Sequence, residues 1–475
     1  MLGLFGTLNL GARALQAQQT GIEVTGHNLA NVNNPAYARQ RVVLQTADAI
    51  PTSIGPEGTG VQVTAIQQIR NALLDGQIRD ETSVTGYWDA QQTNLQNVQT
   101  ALNEFLDQSA STVNGAADSG SAASTQGLSA QLTALFNAFQ SVAASPTSLS
   151  ERQNLVSQAQ SLAAGFNQVS TRLGAVKNTL DASITSDSAT ANQYLSDIAT
   201  LNQQISTAEA GGGGTANDLR DLREQKLEGL AQLMNFQTTT AADGTLSISV
   251  GSEQFVSGGK VVSTLETEQF QGKLVVYSAT DNAGVPLTGG SIKAAVDSRD
   301  VTLANLQSGL DSLASQLITQ VNSVYQNGYD LNGGTGAAFF TGNSAATIGV
   351  NGALGNDPSL VQAAGTAGAA GDNAVALALA NLAQQPNAAL NNKSFGDAYN
   401  QLVQNLGSAL SNANDQVANQ TAVNSMLMSQ RDSVSGVSVD EEMTNLIGYQ
   451  KAYEASAKLI SAVDQMLETL INMKN

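Results

Sequence analysis

The stretch GLFGTLNLGARALQAQQTGIEVTGHNLANVNNPAYARQ, residues 3–40, decides how the rest of the chain is read. Leu8, Leu15, Ile22 and Leu29 recur every seven residues, and Leu4 and Val32 fall on the flanking row. That spacing lays one narrow apolar seam along a helix, the pattern of a coiled-coil strand. Most other positions are Gln, Thr, Asn, Gly and Ala. A helix so composed buries too little to stand alone and needs a partner. Pro35 drives Asn34 out of the helical region, and the asparagines around it suit a helix end. The helix is therefore expected to stop near Asn31–Asn33, with an extended segment after it.

The partner is at the other end of the chain. From Met443 to Ile471 the rhythm returns in Leu446, Tyr453, Ile460 and Leu467, with Tyr449, Val463 and Leu470 on a second row. Ser438-Val439-Asp440-Glu441 reads as a capping box that starts this helix. Asp440, Glu441 and Glu442 favour the positive end of its dipole. Two seam-bearing helices at opposite termini predict a chain that leaves and returns to one place.

Both ends resemble the flagellar rod, hook and hook-associated axial proteins. In that family an Ala- and Leu-rich helix leads to an Asn-Ile-Ala-Asn-type end and a Thr-Pro-Gly-Tyr-type turn. Asn28-Leu29-Ala30-Asn31 and Asn34-Pro35-Ala36-Tyr37 match it, with Ala36 where the family usually has Gly. The C-terminal run from Ser435 to Glu442 and the run Tyr449-Gln450-Lys451-Ala452-Tyr453-Glu454-Ala455-Ser456-Ala457 resemble the family's other signature. Within the family, Arg39-Gln40 and the run Asn217-Asp218-Leu219-Arg220-Asp221-Leu222-Arg223-Glu224-Gln225-Lys226-Leu227 are similar to the members at the hook–filament junction. Flagellin's own N-terminal signature is absent.

The resemblance implies a structural subunit with no catalytic, cofactor-binding or metal-binding residues. It implies export through the flagellar type III channel without a cleavable signal peptide, and an extracellular place between hook and filament. The implied partners are other copies of the chain in a lateral, ring-like assembly, the hook protein, a second hook-associated junction protein and an export chaperone. Leu8, Leu15, Ile22, Leu29, Leu446, Tyr453, Ile460 and Leu467 are the expected assembly interface. Asn28, Asn31, Pro35, Tyr37, Arg39 and Gln40 carry the family signature. The rival readings are another axial protein, of hook or distal rod, or a secreted adhesin or enzyme carrying flagellar ends.

Composition agrees. A chain of 475 residues has room for about three domains. A net charge of −19 argues against nucleic acid or an anionic membrane as partner. With no cysteine, disulfides and thiolate metal sites are excluded. The N-terminus lacks a basic region followed by an apolar core, and no window approaches the roughly 18 uninterrupted apolar residues of a membrane span.

Between the ends the chain reads as mainly α with a β-containing insertion. Weakly alternating residues from Gln40, turns at Pro51–Gly60 and a short strand at Val61–Ile66 precede a helix from near Ile69 past Leu102, Phe105 and Leu106. A Ser/Ala/Gly-rich tract, 109–127, reads as loop. After a shorter helix, a second capping box, Ser148-Leu149-Ser150-Glu151, opens the clearest element. Leu155, Ala159, Leu162, Phe166, Val169, Leu173, Val176 and Leu180 keep a three-and-four spacing that resumes at Tyr194 and stops at the glycine run 211–214. This predicts one rod of about 90 Å. Leu246, Ile248 and Val250 then alternate with polar residues, as in an antiparallel sheet.

The expected domains are a terminal coiled-coil pair (1–40 with 434–475), a helical bundle (41–235, 299–330 and 392–433), a β insertion (236–298) and an irregular outer segment (331–391). The insertion is expected to project from the middle of the bundle, with the terminal pair beyond it. His27, the one histidine, reads as a surface residue near a helix end, since no cysteine or second histidine can join it at a metal. Asp440-Glu441-Glu442 reads as helix capping rather than acid–base machinery. The glycine run lacks the Gly-Lys-Ser/Thr ending of a phosphate loop. No Gly-x-Ser-x-Gly element has a plausible triad.

Overall fold

The computed structural model describes residues 3–52, 55–102, 127–211 and 214–473. The Ser/Ala/Gly-rich tract up to residue 126, with Phe105 and Leu106, lies outside them, as do Gly212, Gly213 and Asn475. Helix α1 (Leu4–Ala30) leads to β1 (Gln40–Thr46), β2 (Ile50–Thr52), β3 (Gly55–Glu57) and β4 (Val61–Gln68). β1 pairs antiparallel with β4, and β2 with β3. Four helices follow: α2 (Ala72–Leu102), α3 (Leu128–Ala144), α4 (Leu149–Ala210) and α5 (Asn217–Leu233). Strands β5 (Gln237–Thr240), β6 (Leu246–Val250), β7 (Glu253–Ser257) and β8 (Lys260–Val261) form one antiparallel sheet in sequence order. β9 (Leu265–Phe270) and β10 (Lys273–Ser278) form a hairpin.

Helix α6 (Gly290–Asp297) continues through a π-helical stretch, Ser298–Leu303, into α7 (Ala304–Tyr325). The short elements β11 (Phe340–Thr341), β12 (Gly349–Val350), α8 (Gly352–Asn356) and α9 (Ala374–Asn381) precede the long α10 (Phe395–Ser435) and α11 (Val439–Asn472). The chain is thus mainly helical with small antiparallel sheets, as its periodicities predict.

Two caps do what their sequences promise. Ser148 Oγ accepts the Glu151 amide at 3.3 Å, and Ser438 Oγ accepts that of Glu441 at 3.5 Å. In α4, Leu155, Ala159, Leu162, Phe166, Val169, Leu173 and Leu180 are all buried, and the helix runs 62 residues without a break.

The chain forms two compact units. One comprises residues 1–86, 187–290 and 419–475, the other 87–186 and 291–418. The expected division differs, because α2, α4 and α10 each lend successive stretches to both units. Sequence periodicity marks where an element changes, not which core each of its turns packs into. The β segment shares the first unit with the terminal helices. Asn202, fully buried on α4, donates to the Leu246 and Gly258 carbonyls at 2.7 Å and accepts the Leu246 amide at 3.2 Å. It also accepts from Arg223 Nη1 on α5 at 2.8 Å.

Two expectations are corrected. The β insertion does not reach residue 298, since 290–297 are helical and bury Ile292, Ala294 and Ala295. With Ile292 and Val296 as its only β-branched residues, this eight-residue stretch is too short to show a helical period. The helix expected from near Ile69 begins at Ala72, close to that position. Segment 331–391 is not an irregular outer part, because it helps build the core of the second unit. Phe339 is fully buried, with ring centroids 5.3 Å from Phe139 of α3 and 5.1 Å from Tyr325 of α7. Asn322 of α7 accepts the Phe339 and Phe340 amides, both at 2.9 Å. Backbone pairing of this kind has no periodicity to read.

Replacing Asn202 by Ala strands the Leu246 backbone groups and the Arg223 guanidinium in a dry place. The expected cost is about 2–4 kcal/mol. Urea unfolding followed by circular dichroism measures it, and a loss below about 1 kcal/mol contradicts this account of the sheet's attachment.

Candidate assembly site

The helix seam comes first. Gly11 faces Ile460 and Leu459, and Gly21 faces the Tyr449 ring. Asn28 meets Glu442. As the number falls on one helix it rises on the other, so α1 and α11 run antiparallel. A Cβ on Gly21 would lie 2.6 Å from the Tyr449 ring, and one on Gly11 2.8 Å from Ile460 Cγ1. The glycines therefore admit the large side chains of α11.

The buried row of α1 is Gly11, Ala17, Gly21, Val24, Thr25 and Asn28. Leu8, Leu15, Ile22 and Leu29 flank it and remain partly exposed. On α11, Leu446, Ile460 and Leu467 are half-buried, Val463 is buried, and Tyr453 is 40% exposed. The expected interface residues thus share one helix pair, yet the closest approach runs through small residues. A heptad search weighted to large apolar side chains passes over them.

The signature residues converge at the inner end of this pair. Asn28 donates from Nδ2 to the Gln40 carbonyl and to Glu442 Oε2, both at 2.9 Å. Its Oδ1 accepts the Gln40 amide at 3.0 Å and the Tyr37 hydroxyl at 2.7 Å. Asn28 and Glu442 are each 1% exposed. Burial, reinforced by Asp218, Asp221 and Glu442, pushes the Tyr37 hydroxyl well above its usual range and keeps it a donor. Arg39 binds Glu442 through Nε and Glu441 through Nη1, both at 2.7 Å, and its amide donates to the Ser435 carbonyl at 2.9 Å. Asn31 caps α1 by donating to the His27 carbonyl at 3.0 Å. Pro35 and Ala36 shape the turn, and Ala36 takes no positive φ, so no glycine is needed there.

Charged side chains from other elements also grip the turn. Arg70 reaches the Ala36 carbonyl at 3.2 Å and pairs with Asp221 at 3.1 Å and Asp75 at 3.3 Å. Arg431 reaches the Pro35 carbonyl at 3.4 Å and pairs with Glu228, while Arg79 pairs with Glu224. Asp221 accepts the Ala38 amide at 3.2 Å and the Gln68 side chain. Gln40 Nε2 donates to Asp218 at 2.9 Å. Burial pushes the Asp221 carboxyl up to about 6, with Asp218 adding to the rise and Arg70 opposing it. Burial likewise raises Asp75 and Glu228.

The residues that sequence reasoning missed are Gln68, Arg70, Arg79, Glu228 and Arg431, and it gave Asp218, Asp221 and Glu224 no role beyond the α5 motif. One signal was available. Asp218, Asp221, Glu224 and Glu228 sit three and four apart on one face of α5, in a chain with only 12% charged residues. Among the described residues, no group of three or more His, Cys, Asp or Glu is placed to hold a metal ion, and no helix is long and apolar enough to cross a membrane.

Comparison with known proteins agrees with this geometry. The family model described as the flagellar hook-associated protein FlgK helical domain matches residues 118–340. The model for the flagellar basal body rod FlgEFG protein C-terminal region matches residues 428–473. Flagellar hook-associated protein 1 of Bacillus subtilis (strain 168) is 29% identical, over 99% of both chains. That of Escherichia coli (strain K12) is 21% identical over 98% of this chain and 99% of its own. The flagellar hook junction protein FlgK of Burkholderia pseudomallei has a similar fold, with a TM-score of 0.62 and 16% identity over 76% of this chain and all of its own. A terminal helix pair fastened by this signature turn defines a flagellar axial protein. Within that class, the chain belongs to the hook-associated protein 1 family.

Asn28→Ala removes the donor to Glu442 Oε2, the acceptor of the Tyr37 hydroxyl and the partner of both Gln40 backbone groups. The expected loss is about 3–4 kcal/mol. Asn28→Asp keeps the shape but sets a second carboxylate against Glu442, so it is expected to lose at least as much near neutral pH. Denaturant titration of both variants checks this.

Proposed function

We propose that this chain is a non-enzymatic structural subunit of the junction between flagellar hook and filament. The observation that supports this reading is the signature turn, held at once by α1, α5, α10 and α11, which ties both terminal helices to one point. Phe5, Met443, Ile447, Met466, Leu470 and Ile471 are exposed on that pair, apolar surface that neighbouring subunits would cover. Leu8, Leu15, Ile22, Leu29, Leu446, Tyr453, Ile460 and Leu467 contribute to the interface, either directly or by setting the helix pair. The partners are other copies of the chain, the hook protein and a second junction protein. An export chaperone and the type III channel bring the chain to its extracellular place.

Immunogold labelling of isolated hook-basal bodies tests the location. Label at the distal end of the hook is expected, and label along the hook or in the rod contradicts the reading. Ile460→Asp places a charge against Gly11 and is expected to cost the helix pair about 2–4 kcal/mol. Export is expected to continue while filaments detach, scored by motility and by filament protein shed into the medium. Normal swimming contradicts the seam's role.

A further inference from the structure

Sulfur is unevenly placed in this chain. With no cysteine, its seven methionines hold all of it. Apart from Met1 and Met234, they are Met426, Met428, Met443, Met466 and Met473, on α10, on α11 or just after it. Met234 is fully buried, whereas Met443 is 45% and Met466 51% exposed. Each lies one turn before another exposed apolar residue of α11, Met443 before Ile447 and Met466 before Leu470. A thioether on such a face is soft and flexible, so it moulds to its neighbours. It is also open to oxidation.

Charge says what covers these residues. The helix pair beyond the clamp, residues 3–30 and 443–473, carries Arg13, Lys451 and Lys458 against Glu23, Glu454, Asp464 and Glu468, with His27 neutral. That is one charge from balance, in a chain whose net charge is −19. Copies of the chain repel one another through most of their surface, but hardly at all through this pair. The pair is therefore the place where a second copy approaches at least cost. Its exposed apolar residues give that copy something to bury.

We propose that Met443 and Met466 are redox-sensitive modification sites that gate assembly. In the free chain a hydroperoxide reaches both thioethers. The sulfur lone pair attacks one peroxide oxygen, the O–O bond breaks and an S–O bond forms. The second oxygen leaves and takes the proton from the first, giving water when the oxidant is hydrogen peroxide. Sulfur is oxidised to the sulfoxide and the peroxide is reduced. The sulfoxide sets a strong dipole on a face that a neighbour must keep dry, so the oxidised chain attaches poorly. Once a second copy covers them, the same sulfurs are shielded. The gate rests on the junction reading, since it needs a neighbour to cover the pair.

To test it, the full chain is treated with hydrogen peroxide. Peptide mass spectrometry follows Met443 and Met466, and circular dichroism checks that the helices persist. Attachment to hooks isolated from cells lacking this chain is then measured by sedimentation. Oxidation is expected to weaken attachment about tenfold, and methionine sulfoxide reductases to restore it. The double variant Met443→Leu, Met466→Leu is expected to keep through peroxide whatever attachment it had before. Attachment unchanged by oxidation overturns the gate, as does an equal loss in the double variant or a loss of helix on oxidation. Should the double variant fail to fold, oxidation of isolated flagella decides. Both residues are expected to react about tenfold more slowly there than in the free chain, and equal rates overturn the gate. Untreated wild-type chain that does not attach to hooks overturns the junction reading and takes the gate with it.

Discussion

One side-chain amide organises the first unit. Asn28 has two donors and one strongly accepting oxygen, and all are used on groups that are otherwise buried. Through it the last turn of α1, the turn after it, the first residue of β1 and the first turn of α11 share one point. Removing a buried polar group costs more than its bonds contributed, because the partners stay dry and unpaired. The position therefore constrains its neighbours far beyond its own size.

Around that point, geometry and charge divide the labour. Asn28 fixes where the turn sits. The carboxylates of α5 and three arginines from other elements fix how firmly it is held. The helix pair beyond relies on neither, since its closest contacts are glycines receiving Ile460 and Tyr449. A seam of this kind stabilises little by itself, so the clamp at its inner end sets its register.

Much of this was legible in the sequence. The caps at Ser148 and Ser438, the long α4, the alternation at Leu246–Val250 and the return of the C-terminus to the N-terminus all follow from local pattern. The signature residues Asn28, Tyr37, Arg39 and Gln40 could be named, but their bonding could not. Arg70, Arg79 and Arg431 were invisible because the α5 carboxylates that they bind are far away in sequence and obey no spacing. The glycine seam was hidden because periodicity is weighed by large side chains. Segment 331–391 escaped because Phe339 is buried through side-chain amides bonding the backbone. The α6 helix was lost because Ile292 and Val296 suit a strand as well as a helix.

The bond from Asn28 to Glu442 spans 414 positions. Nothing nearer in the chain supplies Glu442's carboxylate, so α1 cannot reach its final state until almost the whole polypeptide is present. A chain broken off before α11 would leave the Asn28 amide, the Arg39 guanidinium and the α1 glycines facing water. The two ends thus act together as a test of integrity, in which only an unbroken molecule completes the clamp.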